Sequence, residues 1–248
     1  MCNVMKIFKS KKNIINFICE HEKLDYIPKP IPASKMLPEW YKNMPSYVDG
    51  IKIHNAQGAN GTIKKCMPVF DTMTTGYLIL LPCDVHISRD NSGMPEVTPS
   101  FGEKMVTDHS LGQAITFDIP KEYYRQLLKW TNFWKIKTPK GWSVMFVQPM
   151  HRDDLPFQIL PGIVDTDEFV LSVQFPFLLK KDFEGTLPKG TPIAQVIPFK
   201  RENWRAEYGS QTSLETQKFL DNHSSIFENR YKKTSWKKKN YKWKMYLK

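Results

Sequence analysis

The sequence predicts a mostly β protein, and three observations carry that prediction. Apolar runs are short and are separated by clusters of Gly, Asn, Asp and Pro, the pattern of strands joined by tight turns. The 18 prolines argue against long helices, because each removes a backbone donor and restricts the residue before it. Residues Gly141 to Phe199 join a Gly-bounded acidic turn to four short apolar runs more densely than any other part of the chain, which marks them as the sheet core. With 248 residues, 41% of them hydrophobic, the chain has the material for one large β-rich domain with appendages.

Taken in order, Met1 to Cys19 suits a strand pair or a short helix equally, since Ile7-Phe8, Ile14-Ile15 and Phe17-Ile18 are interrupted by lysines. Ile27-Pro28-Lys29-Pro30-Ile31-Pro32 is an extended connector. Ser34 offers an N-cap for a short helix or turn through Lys42, with Trp40 and Tyr41 as anchors of an arm. Ile51 to His54, Ile63 to Cys66 and Tyr77 to Leu81 read as strands, with Asp71 to Gly76 as a tight connection. Val85-His86-Ile87, Glu96-Val97-Thr98 and Ala114 to Phe117 extend the strand count, and Arg89 to Gly93 is a hairpin turn cluster. Tyr123, Tyr124, Leu127, Leu128 and Phe133 fall near helical spacing, so the segment from Pro120 to Trp134 reads as an interior helix or an aromatic connector. A helix is expected from Ser213 to Leu220, followed by a basic aromatic tail.

The formal net charge of +11 suggests an anionic partner, but its excess is concentrated in the tail, where Lys232, Lys233, Lys237, Lys238, Lys239, Lys242, Lys244 and Lys248 lie. Trp236 and Trp243 interleave with these lysines, a combination suited to single strands through phosphate attraction and base stacking. The alternative is an arm laid on the body or on a neighbouring subunit by its aromatics. Four cysteines without a CxxC pair, and no leader of the secretory type, point to reduced intracellular thiols. No apolar run reaches membrane-spanning length, so a soluble protein without a membrane partner is expected. His86, His109, His151 and Asp153 show no metal-ligand spacing, and no metal site is expected.

The acidic turn is the foremost candidate site. In Gly162-Ile163-Val164-Asp165-Thr166-Asp167 the two carboxylates alternate with threonine, which puts both on one side of an extended backbone. Gly162 permits close approach of a ligand, and Asp165 or Asp167 would accept a sugar hydroxyl or act as general base. An acidic turn whose carboxylates cap backbone amides has the same sequence.

Four blocks in Gly141 to Phe199 resemble, in order and spacing, the dUTPase and dCTP deaminase superfamily. They are Gly141-Trp142-Ser143-Val144-Met145-Phe146, Pro149-Met150-His151-Arg152, Gly162 to Phe169, and Lys189-Gly190-Thr191-Pro192-Ile193-Ala194-Gln195-Val196-Ile197. Thr74-Thr75-Gly76-Tyr77-Leu78 is more faintly similar to the family's first element. The resemblance implies a β-clip core at residues 61–200, an N-terminal arm and connector at 1–60, and a C-terminal extension at 201–248. It also implies a homo-oligomer, by analogy a trimer. By that resemblance Asp165 takes the place of the water-activating aspartate, Phe169 lies near the aromatic under the deoxyribose, and Gly162, Tyr77 and Arg152 join the ligand site.

This chain departs from the family's pattern where phosphate is held. Pro149-Met150-His151-Arg152 stands in place of a proline-arginine-serine loop, no aspartate follows Gly76-Tyr77, and Glu168 precedes the aromatic. Phosphate binding needs several convergent donors, and these substitutions remove them. Thr62 to Tyr77 with Leu37 to Tyr41 also resembles proteins carried by tailed bacteriophages and some bacteria. The expectation is therefore a non-catalytic phage β-clip protein without cofactor, acting in assembly or on an anionic partner, in the host cytoplasm or in the virion. The alternatives are a diverged nucleotide enzyme using magnesium, with Asp165 as base and Arg152 on phosphate, and single-strand binding through the tail.

Overall fold

A computed structural model describes residues 13–19, 24–55, 58–100, 102–209, 213–226 and 229–237. The fold is mostly β, and its strand pairs are antiparallel. The largest sheet has five strands in the order Gly162–Val164, Trp142–Val147, Pro192–Lys200, Tyr77–Leu80 and Ile31–Pro32. A second sheet orders Phe157–Ile159, Phe175–Leu179, Leu128–Trp130 and Val106–Asp108, and a third orders Gly185–Leu187, Val85–Arg89 and Pro95–Pro99. Apolar side chains of all three meet in one core cluster that includes Ile79, Val144, Phe146, Trp130, Phe175, Phe177, Val85 and Leu187.

Strand alternation explains where each side chain goes. Tyr77 and Ile79 enter the main core, while Leu78 and Leu80 point to the other face and pack with Ala33. The strand is thereby buried along its whole length, which accounts for its continuous apolar run YLIL. Pro198 sits in the long strand Pro192–Lys200, where a missing N–H would break an inner ladder. The neighbouring Tyr77–Leu80 strand ends its pairing at Val196, so Pro198 pairs on one side only, with Val144.

Gly76 has φ +74°, and a Cβ there would lie 2.2 Å from the Val196 carbonyl oxygen. Only glycine permits that approach of chain to chain. Gly162 is required for a different reason: a Cβ would meet the Phe146 ring at 2.4 Å. Its place in the motif is thus explained by packing within the core.

Several expectations are corrected. The segment after Pro120 forms no helix; Leu128–Trp130 is a strand, and the backbone N–H of Tyr124 bonds to the Leu179 carbonyl. Ile63–Lys65 is a 3-10 turn rather than a strand, and the supposed connection Asp71 to Gly76 belongs largely to helix Met67–Thr74, which has Pro at its first turn. Residues Ala114 to Phe117 are not a strand, since Leu111–Ala114 is a 3-10 turn. The helix near Ser34 begins later, at Glu39, behind Pro38. Segments of the N-terminal region also join the sheets: Asn16–Cys19 pairs with Trp134–Lys137, and Ile31–Pro32 with Tyr77–Leu80.

The hairpin Val85–Arg89/Pro95–Pro99 forms as expected, its turn fixed by Asp90, which accepts from the Ser92 and Met94 amides. Helix Ser213–Asn222 covers the span where one was expected. Among the described residues no helix is long and apolar enough to cross a membrane.

Candidate functional site

The acidic turn begins where strand Gly162–Val164 ends. Amides of Glu168 and Phe169 return to the Asp165 carbonyl at 3.0 and 2.8 Å, so the backbone turns sharply after Asp165. The turn brings both carboxylates onto one cation that the sequence motifs do not include, Arg201. Its Nη2 donates to Asp167 Oδ2 at 2.5 Å, and its Nη1 lies 2.9 Å from Asp167 Oδ1 and 3.1 Å from Asp165 Oδ1. Nη1 also approaches Ser143 Oγ at 2.9 Å and the Trp142 carbonyl at 3.2 Å. Two protons serve these four acceptors, so the bonds are shared.

Each further partner removes another acceptor site from the carboxylates. The Gly141 amide donates to Asp167 Oδ2 at 2.7 Å, and the buried Ser143 hydroxyl donates to Asp165 Oδ1 at 2.6 Å. Lys137 Nζ bonds the Asp167 carbonyl, and the Thr138 and Thr166 hydroxyls share a bond of 2.7 Å. The two aspartates differ in exposure: the Asp167 side chain is 2% exposed, that of Asp165 63%. The Arg201 guanidinium, with help from the Gly141 amide, holds the Asp167 carboxyl well below the usual carboxylate range. A carboxylate so stabilised in its charged form is a poor proton acceptor, because basicity falls with pKa.

Arg201 reaches this position through register. Trp142 pairs with Lys200, and the Arg201 amide donates to the Gly141 carbonyl at 2.8 Å, so the last strand delivers the guanidinium beside the turn. The readable signal was a cation one residue beyond a strand that must run antiparallel to the glycine-aromatic strand.

Arg152 is not brought to the acidic turn. It lies beyond Val147, whereas Asp165 sits beside Ser143, which is four residues back along the same strand, about 13 Å from Val147 at ~3.3 Å per residue. Arg152 is instead forked onto Asp154, with Nε–Oδ1 at 2.7 Å and Nη2–Oδ2 at 2.8 Å, and that bond lowers the Asp154 pKa. Tyr77 is buried, its ring edge-on to Phe17 at 5.2 Å. Phe169 is 39% exposed.

The loop before Arg152 is held by Gln195, whose role the sequence did not reveal, and by Trp40, one of the expected anchors of the arm. Gln195, 1% exposed, accepts from the Met150 amide at 2.9 Å and donates to the Thr72 and Thr75 carbonyls at 2.9 and 2.6 Å. His151 adopts φ +59°, an uncommon conformation for a residue with a side chain, and its carbonyl accepts from Trp40 Nε1 at 2.8 Å. His151 Nε2 lies 3.2 Å from Thr72 Oγ1. The Thr72 hydroxyl donates its one proton to the Val69 carbonyl, so the imidazole is the donor to Thr72.

In the tail, Trp236 Nε1 donates to Asp71 Oδ2 at 3.0 Å, which seats the indole against helix Met67–Thr74, and Lys237 is exposed. Lys238, Lys239 and Trp243 lie outside the described residues. Among the described residues no group of three or more His, Cys, Asp or Glu side chains is placed to hold a metal ion. No protein-family model matches this chain, and no curated protein matches it.

Proposed function

We propose that this is a non-catalytic protein on a diverged β-clip core, phage-encoded, which acts by assembling with other copies of itself and by binding an anionic partner. The observation that carries the reading is that both Asp167 oxygens are taken by Arg201 and the Gly141 amide and that Asp165 Oδ1 is held by Ser143 and Arg201, while Arg152 is paired to Asp154. In an enzyme of the dUTPase type the aspartate works beside an arginine that holds phosphate, and here Arg152 is turned to Asp154 instead.

An assembly role gains support from the outer edge of the five-stranded sheet. Gly162–Val164 is an end strand of that sheet, and Ile163, Val170 and Leu171, all within this turn region, are 62%, 60% and 65% exposed. An open strand edge beside large exposed aliphatics favours association with another chain. The β-clip core at residues 61–200, with its extension, would then act in the host cytoplasm or in the virion.

Light scattering tests this directly. Wild type is expected to run as an oligomer, by analogy a trimer, and Leu171→Asp with Val170→Asp to shift it toward monomer. A monomeric wild type that hydrolyses deoxynucleotides with magnesium, and stops on Asp165→Asn, would overturn the reading in favour of an enzyme.

A further inference from the structure

Away from the acidic turn, Arg89, Gly93, Met94, Tyr124, Arg125 and Lys181 line a cleft of about 310 Å³. It sits where the hairpin of the three-stranded sheet meets the segment leading into Leu128–Trp130 and the residues just after Phe175–Leu179. We infer that this cleft binds a small phosphomonoester carrying a compact apolar or aromatic body.

Charge is the first ground. Three cationic side chains line one small space, and only one has an acidic partner: Arg89 Nε lies 3.0 Å from Glu184 Oε1. The Arg125 and Lys181 side chains have no hydrogen-bond or ion-pair partner among the described residues. The nearby Asp90 carboxylate is occupied by its own turn, accepting from the Ser92 amide, the Ser92 hydroxyl and the Met94 amide. Two unopposed cations, with a third only partly neutralised, suit a dianionic group better than a monoanion.

Rigidity is the second ground. The Arg89 Nη2 proton goes to the Lys181 carbonyl at 2.6 Å, the Lys181 amide to the Glu122 carbonyl at 2.8 Å, and the Tyr124 amide to the Leu179 carbonyl at 2.9 Å. The three walls are thus tied to one another by bonds onto backbone carbonyls, two from amides and one from the Arg89 side chain, so little ordering entropy is lost on binding. Size and lining supply the third. The volume is at the small end of ordinary ligand sites, and the Tyr124 ring and Met94 offer it an apolar wall. A polymer strand would need a groove running past these residues, whereas a compact monoester is matched in both charge and bulk.

The inference deepens the anionic-partner half of the proposed function and rests on it. The probe is phenyl phosphate, titrated calorimetrically into the full chain, with inorganic phosphate and phenol as the separate halves. Phenyl phosphate is expected to bind more tightly than either half, with affinity falling as salt rises. Arg125→Ser and Lys181→Ser, chosen because Arg125 and Lys181 are exposed and their side chains hold no other part of the fold, should each weaken it about tenfold. Circular dichroism verifies that both variants remain folded. Absence of binding, phenol binding as tightly as phenyl phosphate, or an affinity unchanged in the double variant overturns the inference. Light scattering on the same samples separates the two readings: an oligomer that does not bind phenyl phosphate overturns this inference alone, and a monomer that binds it overturns assembly alone.

Discussion

At the Trp142 end of strand Trp142–Val147 two carboxylates share one guanidinium, and beyond the Val147 end one guanidinium holds one carboxylate. The first arrangement is inward: the Asp167 side chain is 2% exposed and meets the Gly141 amide as well as Arg201. The second is outward, with the Asp154 side chain 57% exposed, and the loop there is fastened by the neutral Gln195 instead. The comparison teaches that an aspartate and an arginine from motifs that would meet at one ligand can each be taken up by a different local partner. It also separates the costs: a buried charge left alone is expensive, and a pair whose carboxylate faces solvent contributes less.

Removing the shared cation tests the comparison most severely. Arg201→Ala strands the buried Asp167 carboxylate and is expected to lower Tm on the order of 10 °C, measured by calorimetry at neutral pH. Acidification sharpens the result. The folded-state pKa of Asp167 is depressed below its ordinary 3.8, so the pair's contribution is fully present above that value and is lost as pH falls below it. The Tm gap between wild type and Arg201→Ala should therefore narrow below about pH 4. A gap that stays constant with pH would show that Asp167 is not what Arg201 stabilises.

The neutral fastener comes next. Gln195→Ala leaves the Met150 amide and two helix-end carbonyls without their partner and is expected to lower Tm by about 6 °C. Limited proteolysis should show the new cut within residues 149–154, next to the released Met150. Smallest are the pairs whose carboxylate is exposed: Arg152→Ala, which frees the 57% exposed Asp154, and Asp165→Asn are each expected to shift Tm by about 2 °C or less. A large loss from either would reverse the contrast between the two ends of the strand.

Local chemistry made part of this fold readable. Asp90 and Gly93 fix the hairpin turn through bonds within five residues, and the alternation of Val85–Arg89 is visible in its sequence. The run Tyr123, Tyr124, Leu127, Leu128 misled because helical spacing also arises when a chain crosses from a bridge at Tyr123–Lys180 into a strand at Leu128. Helix Met67–Thr74 went unread because its threonines favour strand and turn locally; here the Thr72 and Thr74 hydroxyls, and that of Thr75 at the C-cap, are satisfied by carbonyls three or four residues back, so the polar groups find partners within the helix. At the acidic turn the aspartates were legible and Arg201 was not, since its role depends on a register formed between distant strands.

That register has a consequence for how the chain is made. Pro192–Lys200 lies in the middle of the five-stranded sheet, yet it is the last of those strands in sequence, and Gln195 bonds a carbonyl 120 positions earlier. On the ribosome, Tyr77–Leu80 and Trp142–Val147 emerge long before the strand that pairs with both. The edge of Tyr77–Leu80 that faces the last strand stays unpaired until that strand is made, so the sheet closes late and through a long-range pairing, the kind that slows folding.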